Sequence, residues 1–584
     1  MAGGQRAPAC LAIEERTMPP KFSKEITERI IYPERPESQP RTSPCEANCP
    51  AGNPIQKSHA LIKEERLEEA LSYLKSRNPF PGITGRICAH PCEEQCNRGQ
   101  YDEKISIRSL ERSAADRADL TRLMKPKRRE LTGKRLAIIG SGPAGMTCAY
   151  FSALLGHAVT VFESAPIPGG IPRTLVPDFR LPKDVVDREM GQVLELGVQV
   201  RTNTAVGKDI AFDEILKTFD ACLIATGTWK ARQLDVPGAH SALSGVEFLR
   251  QVNLGRREPV GDKVVIVGGG GVAFDCAFTA KRLGAREIHV ICVEGEGAMC
   301  ATGDDLIQAR AEGIEVHGSR MISKVLEKGG KAVGVEYFEI TAFEFDEKGS
   351  LKVVPVADTT QVLSANTVFL AVGVEPSLGF LAGTGAFQFT PKGTLAADPE
   401  RPMTSVAGVF AAGDVLTGPS TVAGAIGSGR RAAIAIDGYL SGRNFLEPVN
   451  VRIGEDGCLA TEASLPQSSV HIVTFEEMMN VQFFEKKSRE ATGKPAHETS
   501  ISSFEELDRG FANDRGPREA SRCLHCGHCT LCGCCVENCP GFVLTMTPQG
   551  PQPTYYDECW HCGCCRIACP GGVVSYEFPL NMMV

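Results

Sequence analysis

Residues 134–145 read KRLAIIGSGPAG, a short apolar run leading into Gly140-x-Gly142-x-x-Gly145. A helical pattern follows to about Gly156, and a second apolar run, Ala158 to Glu163, ends in an acid. Strand, glycine turn, helix and strand-terminal acid together make the context of a dinucleotide-binding βαβ unit, which a glycine pattern alone would not. Gly140 permits the tight turn. Gly142 lets the backbone approach a pyrophosphate at the helix N-terminus, where the dipole favours negative charge. Glu163 stands where a carboxylate bonds a ribose 2′-hydroxyl.

A second copy begins at Lys263 with KVVIVGGGGVAFDCA, in which Gly268, Gly270 and Ala273 fill the fingerprint. Its next strand, Glu287 to Val293, leads to Glu294, about twenty residues beyond the fingerprint, where the ribose acid belongs. An acid there repels a 2′-phosphate and bonds a free hydroxyl, so the site is expected to prefer NADH to NADPH. Two such folds in one chain imply FAD held permanently and a nicotinamide that comes and goes. A third segment, Gly408 to Asp414 (GVFAAGD) and then GPSTVAGAIGSG at 418–429, belongs with the first fold, which makes the second domain an insertion. Asp414, after Gly413, can bond a flavin ribityl chain. The small-residue helix starting near Thr421 and Val422 can turn its N-terminus to the flavin and pyrophosphate.

The C-terminal region repeats C-x2-C-x2-C-x3-C-P: Cys529, Cys532, Cys535 and Cys539, then Cys559, Cys562, Cys565 and Cys569. This is two-cluster ferredoxin spacing, in which three cysteines of a run hold one cube and the fourth crosses to the other. It predicts one [4Fe-4S] cluster on Cys529, Cys532, Cys535 and Cys569, and another on Cys559, Cys562, Cys565 and Cys539. Zinc also uses C-x2-C pairs, but rarely four-member runs ending in Cys-Pro. Cys523, Cys526, Cys534 and Cys564 stand outside both runs, and a third metal site on them is left open, since spacing does not assure four cysteines at suitable distances. Cys148, Cys222, Cys276, Cys292 and Cys300 fall in apolar or turn contexts and are read as structural.

At 584 residues the chain exceeds a single core. A net charge of −8 leaves no basic footprint, which argues against nucleic acid. No apolar run is long enough for membrane insertion and no signal-peptide pattern opens the chain. Twenty-four cysteines in that setting imply metal sites in a reducing, cytoplasmic compartment. The expected architecture is α/β: two Rossmann-type domains, the NAD domain inserted in the FAD domain, with a helical iron–sulfur domain before them and a ferredoxin-like domain after. The boundaries are an extended arm over 1–40, the helical domain over 41–130, FAD segments over 131–250 and 366–445, the NAD(P)H domain over 251–365, a polar linker over 446–520 and the ferredoxin domain over 521–584. Ala60 to Ser76 reads as one helix, stopped by Asn78-Pro79 and flanked by Cys45 and Cys49 before it and Cys88, Cys92 and Cys96 after it.

CEANCP (45–50), GRICAHPCEEQC (85–96), GSGPAG (140–145), GGIP with PDFRLP (169–182), ATGT (225–228) and AAGD (411–414) together resemble the glutamate synthase small-subunit family of FAD-dependent NAD(P)H oxidoreductases. The resemblance covers residues 40 to 445, and the cysteine-rich tail looks like that of its branch linked to dissimilatory sulfite reductase. It implies FAD in the first Rossmann fold, NAD(P)H in the second and clusters that relay electrons to a partner. NADPH-using members carry Tyr-Arg-Arg where this chain has Cys292-Val293-Glu294, which agrees with the expectation of NADH. Fuller members have two further N-terminal cysteines and two clusters there. With Cys45, Cys49, Cys88, Cys92 and Cys96 remaining, and Glu111 at the place of a side-chain oxygen ligand, one N-terminal [4Fe-4S] cluster is expected, its four ligands left open.

The function expected from this is hydride transfer from NADH to FAD, followed by single-electron transfer through [4Fe-4S] clusters to ferredoxin or a partner redox enzyme, within a hetero-oligomeric complex. The cofactors carry the chemistry, so no side chain is assigned as catalytic. Alternatives are a glutamate synthase small subunit feeding a glutaminase subunit, a flavin-bifurcating transhydrogenase, and a non-catalytic nucleotide-binding scaffold. No redox dithiol precedes Pro172, which removes the disulfide-reductase mechanism. His90 reads as a loop-packing residue.

Overall fold

The computed structural model describes residues 37–38 and 41–575, apart from 296, 347–350, 383–385, 444–448, 454–456, 458, 464–469, 555–557 and 561. The arm expected over 1–40 lies outside the described residues except for Glu37–Ser38. The chain divides into two compact units, one of residues 43–472 and 485–523, the other of residues up to 42, 473–484 and from 524 onward.

In the larger unit, Arg135–Ile139 is the centre of a five-stranded parallel sheet. Leu136 to Ile139 are all buried because helices cover both faces, the usual condition of parallel sheets. On one side lie Ala158–Phe162 and Gln199–Arg201, on the other Ala221–Ile224 and then Val409–Ala411. The last strand arrives from beyond the second fingerprint, so the second domain is an insertion, as expected. That domain has its own parallel sheet, ordered Glu315–His317, Glu287–Ile291, Lys263–Val267, Thr367–Leu370 and Leu243–Ser244. Strands at 243–244 and 367–370 belong to this sheet and lie outside the span of 251–365 expected for the NAD(P)H domain. Between its strands the chain adds an antiparallel sheet of Arg320–Lys328, Lys331–Phe345, Leu351–Pro355 and Gln361–Ser364.

Two more expectations change. The helix read over Ala60–Ser76 is two helices, Ile55–Lys63 and Leu67–Lys75. Glu65 adopts φ 60° between them, and the Arg66 N–H closes the first helix onto the Leu61 carbonyl at 2.9 Å. Local ion pairs of Arg66 with Glu64 and Glu69 hold this turn, so an apolar period running through both helices hides the break. The stretch 446–520 is likewise no plain linker. It contains strands Val449–Ile453 and Leu459–Ala463 and helices His497–Ser502 and Arg515–Ser521. Its polarity misleads because the charges pair inward: Glu519, fully buried, accepts from the Ser106 N–H at 2.8 Å and from Arg522 at 2.8 Å.

One buried pair sets a measurable share of stability. Arg282 and Glu312 meet at 2.9 Å with neither side chain exposed. Glu312→Ala is expected to destabilise this unit by about 3–5 kcal/mol, because it strands a buried guanidinium without its countercharge. A urea midpoint that does not move would contradict this.

In the smaller unit the two cysteine runs fold alike. Gly533 (φ 83°) and Gly563 (φ 77°) turn the chain into the short helices Cys534–Glu537 and Cys564–Ala568. A hairpin, Leu544–Thr547 with Gly550–Pro553, lies between them in sequence, and Val574–Ser575 pairs with Glu37–Ser38.

Candidate functional site

The first glycine turn is built by close contact. A Cβ on Gly140 would lie 2.4 Å from the Ala225 carbonyl oxygen, and one on Gly145 only 2.1 Å from that of Gly140. Gly142 differs: a Cβ there would meet nothing within 4 Å. It faces a cavity of about 1500 Å³, larger than the ~300–1,000 Å³ of common ligand pockets. Glu163, Gly413, Asp414, Thr421 and Val422 line the same cavity. Glu163 is held by the N–H and hydroxyl of Ser141 inside the glycine turn and by the Ala165 N–H at 2.7 Å. Asp414 accepts from Ser420 at 2.8 Å and from Thr228 at 3.3 Å, and burial raises its carboxyl. Thr421 caps the helix Val422–Leu440 by accepting from the Gly424 N–H at 3.1 Å.

These features fit FAD. Helices Pro143–Leu154 and Val422–Leu440 both open N-terminally toward the cavity, the first with no side-chain cap on its N–H groups. Thr226 Oγ1, in the cavity wall, is buried without a hydrogen-bond partner. The cavity also reaches Gly271, Val272 and Asp275 of the second fingerprint helix. Gly268 is as constrained as Gly140, its Cβ position 2.3 Å from the Ala371 oxygen, while Gly270 is as open as Gly142. Ala273 is fully buried under the turn. Glu294 stands at this loop: a Cβ on Gly269 would lie 2.7 Å from its Oε2. Arg320, whose N–H bonds the Cys292 carbonyl at 2.9 Å, commits its guanidinium to Glu339 at 2.8 Å.

Sequence reasoning missed Arg180, which pairs with both Asp275 and Asp305 at 2.5 Å in the cavity wall. Burial lifts Asp275 to about 6 against the opposing pull of Arg180. The PDFRLP motif contained the signal. Arg430 was also missed. Two turns along the helix Val422–Leu440, it donates to the Ala51 carbonyl at 2.8 Å, and a Cβ on Gly427 would lie 2.1 Å from the Pro50 oxygen. The helix Val422–Leu440 therefore packs directly against the loop that follows Cys49. Cys88 and His90 line the large cavity, and neither His90 ring nitrogen has a hydrogen-bond partner.

The five N-terminal cysteines fall into two groups. Cys49, Cys88 and Cys92 lie near one another and near Glu111, whose charge adds to burial in raising all three thiols, Cys88 to about 12. Burial holds Glu111 itself at about 7 while it accepts from Thr84 and from Asn78 at 2.9 Å. A nest of raised thiols and a raised carboxyl is what a cationic cluster relieves. N–H groups of Asn53 and His90 point at the Cys49 and Cys88 sulfurs, both at 3.4 Å. Cys45 and Cys96 neighbour each other instead.

In the smaller unit, Cys529, Cys532, Cys535 and Cys569 line one small cavity, and Cys539, Cys559, Cys562 and Cys565 line another. These are the two sets that the crossed spacing predicts. The Leu531, Val543 and Val573 N–H groups reach the Cys529, Cys539 and Cys569 sulfurs at 3.3–3.4 Å. Among the described residues, the only His, Cys, Asp or Glu trio with ligand atoms all within 4.8 Å is His289, Glu315 and His317. The cysteine groups are thus more open than the tetrahedron a zinc ion draws together at about 2.3 Å per thiolate. No helix among the described residues is long and apolar enough to cross a membrane.

Comparison with known proteins agrees with this geometry. Residues 128–429 match the family "Pyridine nucleotide-disulphide oxidoreductase", and residues 38–122 match "Dihydroprymidine dehydrogenase domain II, 4Fe-4S cluster". The chain is 34% identical to the NADP(+)-dependent formate dehydrogenase subunit beta of Moorella thermoacetica, over 83% of its own length and 70% of the relative's. It is 30% identical to the NADPH-Fe(3+) oxidoreductase subunit beta of Geobacter sulfurreducens, over 83% and 75%. It is 34% identical to the glutamate synthase (NADPH) small chain of Mycobacterium tuberculosis, over 69% and 86%. Fingerprints, cavity and cysteine groups together with these matches show that the chain belongs to the pyridine nucleotide-disulphide oxidoreductase family, as a glutamate synthase small chain-like, FAD-dependent NAD(P)H oxidoreductase with iron–sulfur electron transfer.

Proposed function

We propose that this chain is an NADH:acceptor oxidoreductase that works as the electron-input subunit of a larger redox complex, or on a ferredoxin. The observation that carries the nicotinamide preference is Glu294, whose carboxylate lies against the Gly269 backbone of the second fingerprint. A carboxylate there accepts from a ribose 2′-hydroxyl and repels a 2′-phosphate. Arg320 is already paired with Glu339, so it offers no ready countercharge. The relatives named for NADP or NADPH are the contrast: they place the same architecture on the other nucleotide.

The residues assigned to FAD are Gly140, Gly142, Gly145 and Glu163 for the adenosine and pyrophosphate side, and Gly413, Asp414, Thr421 and Val422 for the flavin side. FAD bound there supplies a group that takes up a hydride as two electrons and releases them singly. Glu163 would accept from a ribose hydroxyl and Asp414 from the ribityl chain, and the two helix N-termini would face the pyrophosphate and flavin. Cys49, Cys88, Cys92 and Glu111 are assigned to a [4Fe-4S] cluster beside this cavity, with two more on the ferredoxin cysteines. The partner reading draws on the two relatives named as beta subunits.

Steady-state reduction of a viologen dye by the anaerobic chain tests the preference. A kcat/KM for NADH at least about tenfold above that for NADPH is expected, since one charge-assisted hydrogen bond is worth about 1.5–3 kcal/mol. A ratio at or below one overturns it.

A further inference from the structure

Outside the ferredoxin runs and the Cys49 group, three more cysteines converge in the larger unit. Gln56 Nε2 donates to the Cys45 sulfur at 3.3 Å, and the Cys523 thiol donates to the Oε1 of the same carboxamide at 3.5 Å. One planar amide thus stands between two sulfurs that nearly the whole chain separates in sequence. Burial raises the Cys45 thiol, and neighbouring Cys523 and Cys96 raise it further. Backbone N–H groups of Ile105, Arg98 and Gly99 are directed at the Cys96 sulfur, and the Ser43 hydroxyl lies 3.2 Å from that of Cys45. Such donors stabilise thiolates that carry iron.

The surroundings keep Cys523 in place. Arg522, 2% exposed, bonds Glu519 at 2.8 Å and Asp102 at 3.2 Å. Its carbonyl accepts from Arg98 at 2.8 Å, two residues after Cys96. A paired arginine network this deeply buried is costly to build, and here it fixes the position of one cysteine. The sulfurs are not drawn in to the spacing of a single ion.

We propose that Cys45, Cys96 and Cys523 are ligands of a further [4Fe-4S] cluster, separate from the one on Cys49, Cys88 and Cys92. The helical region then holds two clusters where the sequence led us to expect one, and a segment near the end of the chain completes the second. Ligation also ties residues 485–523 to the N-terminal helices, so assembly of this cluster is coupled to their folding.

The test is metal content of the full chain, purified anaerobically and reconstituted, which makes it independent of nicotinamide preference. Wild type is expected to carry about sixteen iron and sixteen sulfide per FAD, four cubes in all, and about twelve overturns the proposal. Cys523→Ser and Cys45→Ser are each expected to lose about four iron while keeping FAD, and the double variant to lose no more than either single one. Cys300→Ser serves as a thiol-removal control that keeps its iron. Full iron in Cys523→Ser, or a double variant that loses about eight, overturns it as well.

Discussion

Gly142→Ala is expected to give a chain that folds normally and is nearly empty of FAD. The new methyl group meets no protein atom within 4 Å, and the backbone at Gly142 (φ −69°, ψ 178°) suits any residue. Its cost falls on the ligand, because the methyl occupies the space through which a pyrophosphate approaches the helix N-terminus. Overpacking of one methyl costs about 1–3 kcal/mol, so FAD affinity drops by roughly ten- to a hundredfold. Gly145→Ala makes the contrast. There the methyl would lie 2.1 Å from the Gly140 carbonyl oxygen, so strand and helix must part and the protein itself is destabilised. Thermal unfolding of the FAD-free forms separates the two: Gly142→Ala matches wild type, and Gly145→Ala melts several degrees lower. If Gly142→Ala retains full flavin absorbance after gel filtration, the first fingerprint does not hold the pyrophosphate in the way assigned here.

Glu294→Arg is expected to turn nicotinamide preference over. The substitution removes a carboxylate that repels a 2′-phosphate and adds a guanidinium that can pair with it. Each change is worth about 1.5–3 kcal/mol, or roughly ten- to a hundredfold in relative kcat/KM. Glu294→Gln removes only the repulsion and should fall between wild type and Glu294→Arg, which makes the series graded and hard to mimic by general damage. NADPH kinetics that stay flat across the series would mean that the second ribose lies elsewhere.

How much of this was legible in advance depends on the range of the interaction concerned. Gly140, Gly142 and Glu163 could be assigned from one stretch of thirty or so residues, because strand, turn and helix are consecutive and the geometry of each dictates the next. The crossed pairing of Cys539 and Cys569 was legible for a similar reason: a repeated spacing encodes two related loops, and the observed cavities group the cysteines accordingly. The helix break at Glu65 was not, since two short helices joined by a tight turn preserve the apolar period that signals one long helix. Nor was the structure within 446–520. Glu519 is one charge of that polar stretch, and nothing local marks it as the fully buried partner of the Ser106 N–H.

The sequence by itself determined the chemistry: two dinucleotide folds, one inserted in the other, and cysteines in numbers and spacings that only clusters explain. Turn geometry and ligand spacing are local, and a linear pattern records them. Only the tertiary structure decided which cysteines lie near one another. Cys49 joins Cys88, Cys92 and Glu111, beside the helix that carries Arg430. Cys45, four residues earlier, turns instead to Cys96 and to Cys523 from near the other end of the chain. Contacts closed across hundreds of residues leave no period or spacing behind, so packing alone brings those sulfurs together.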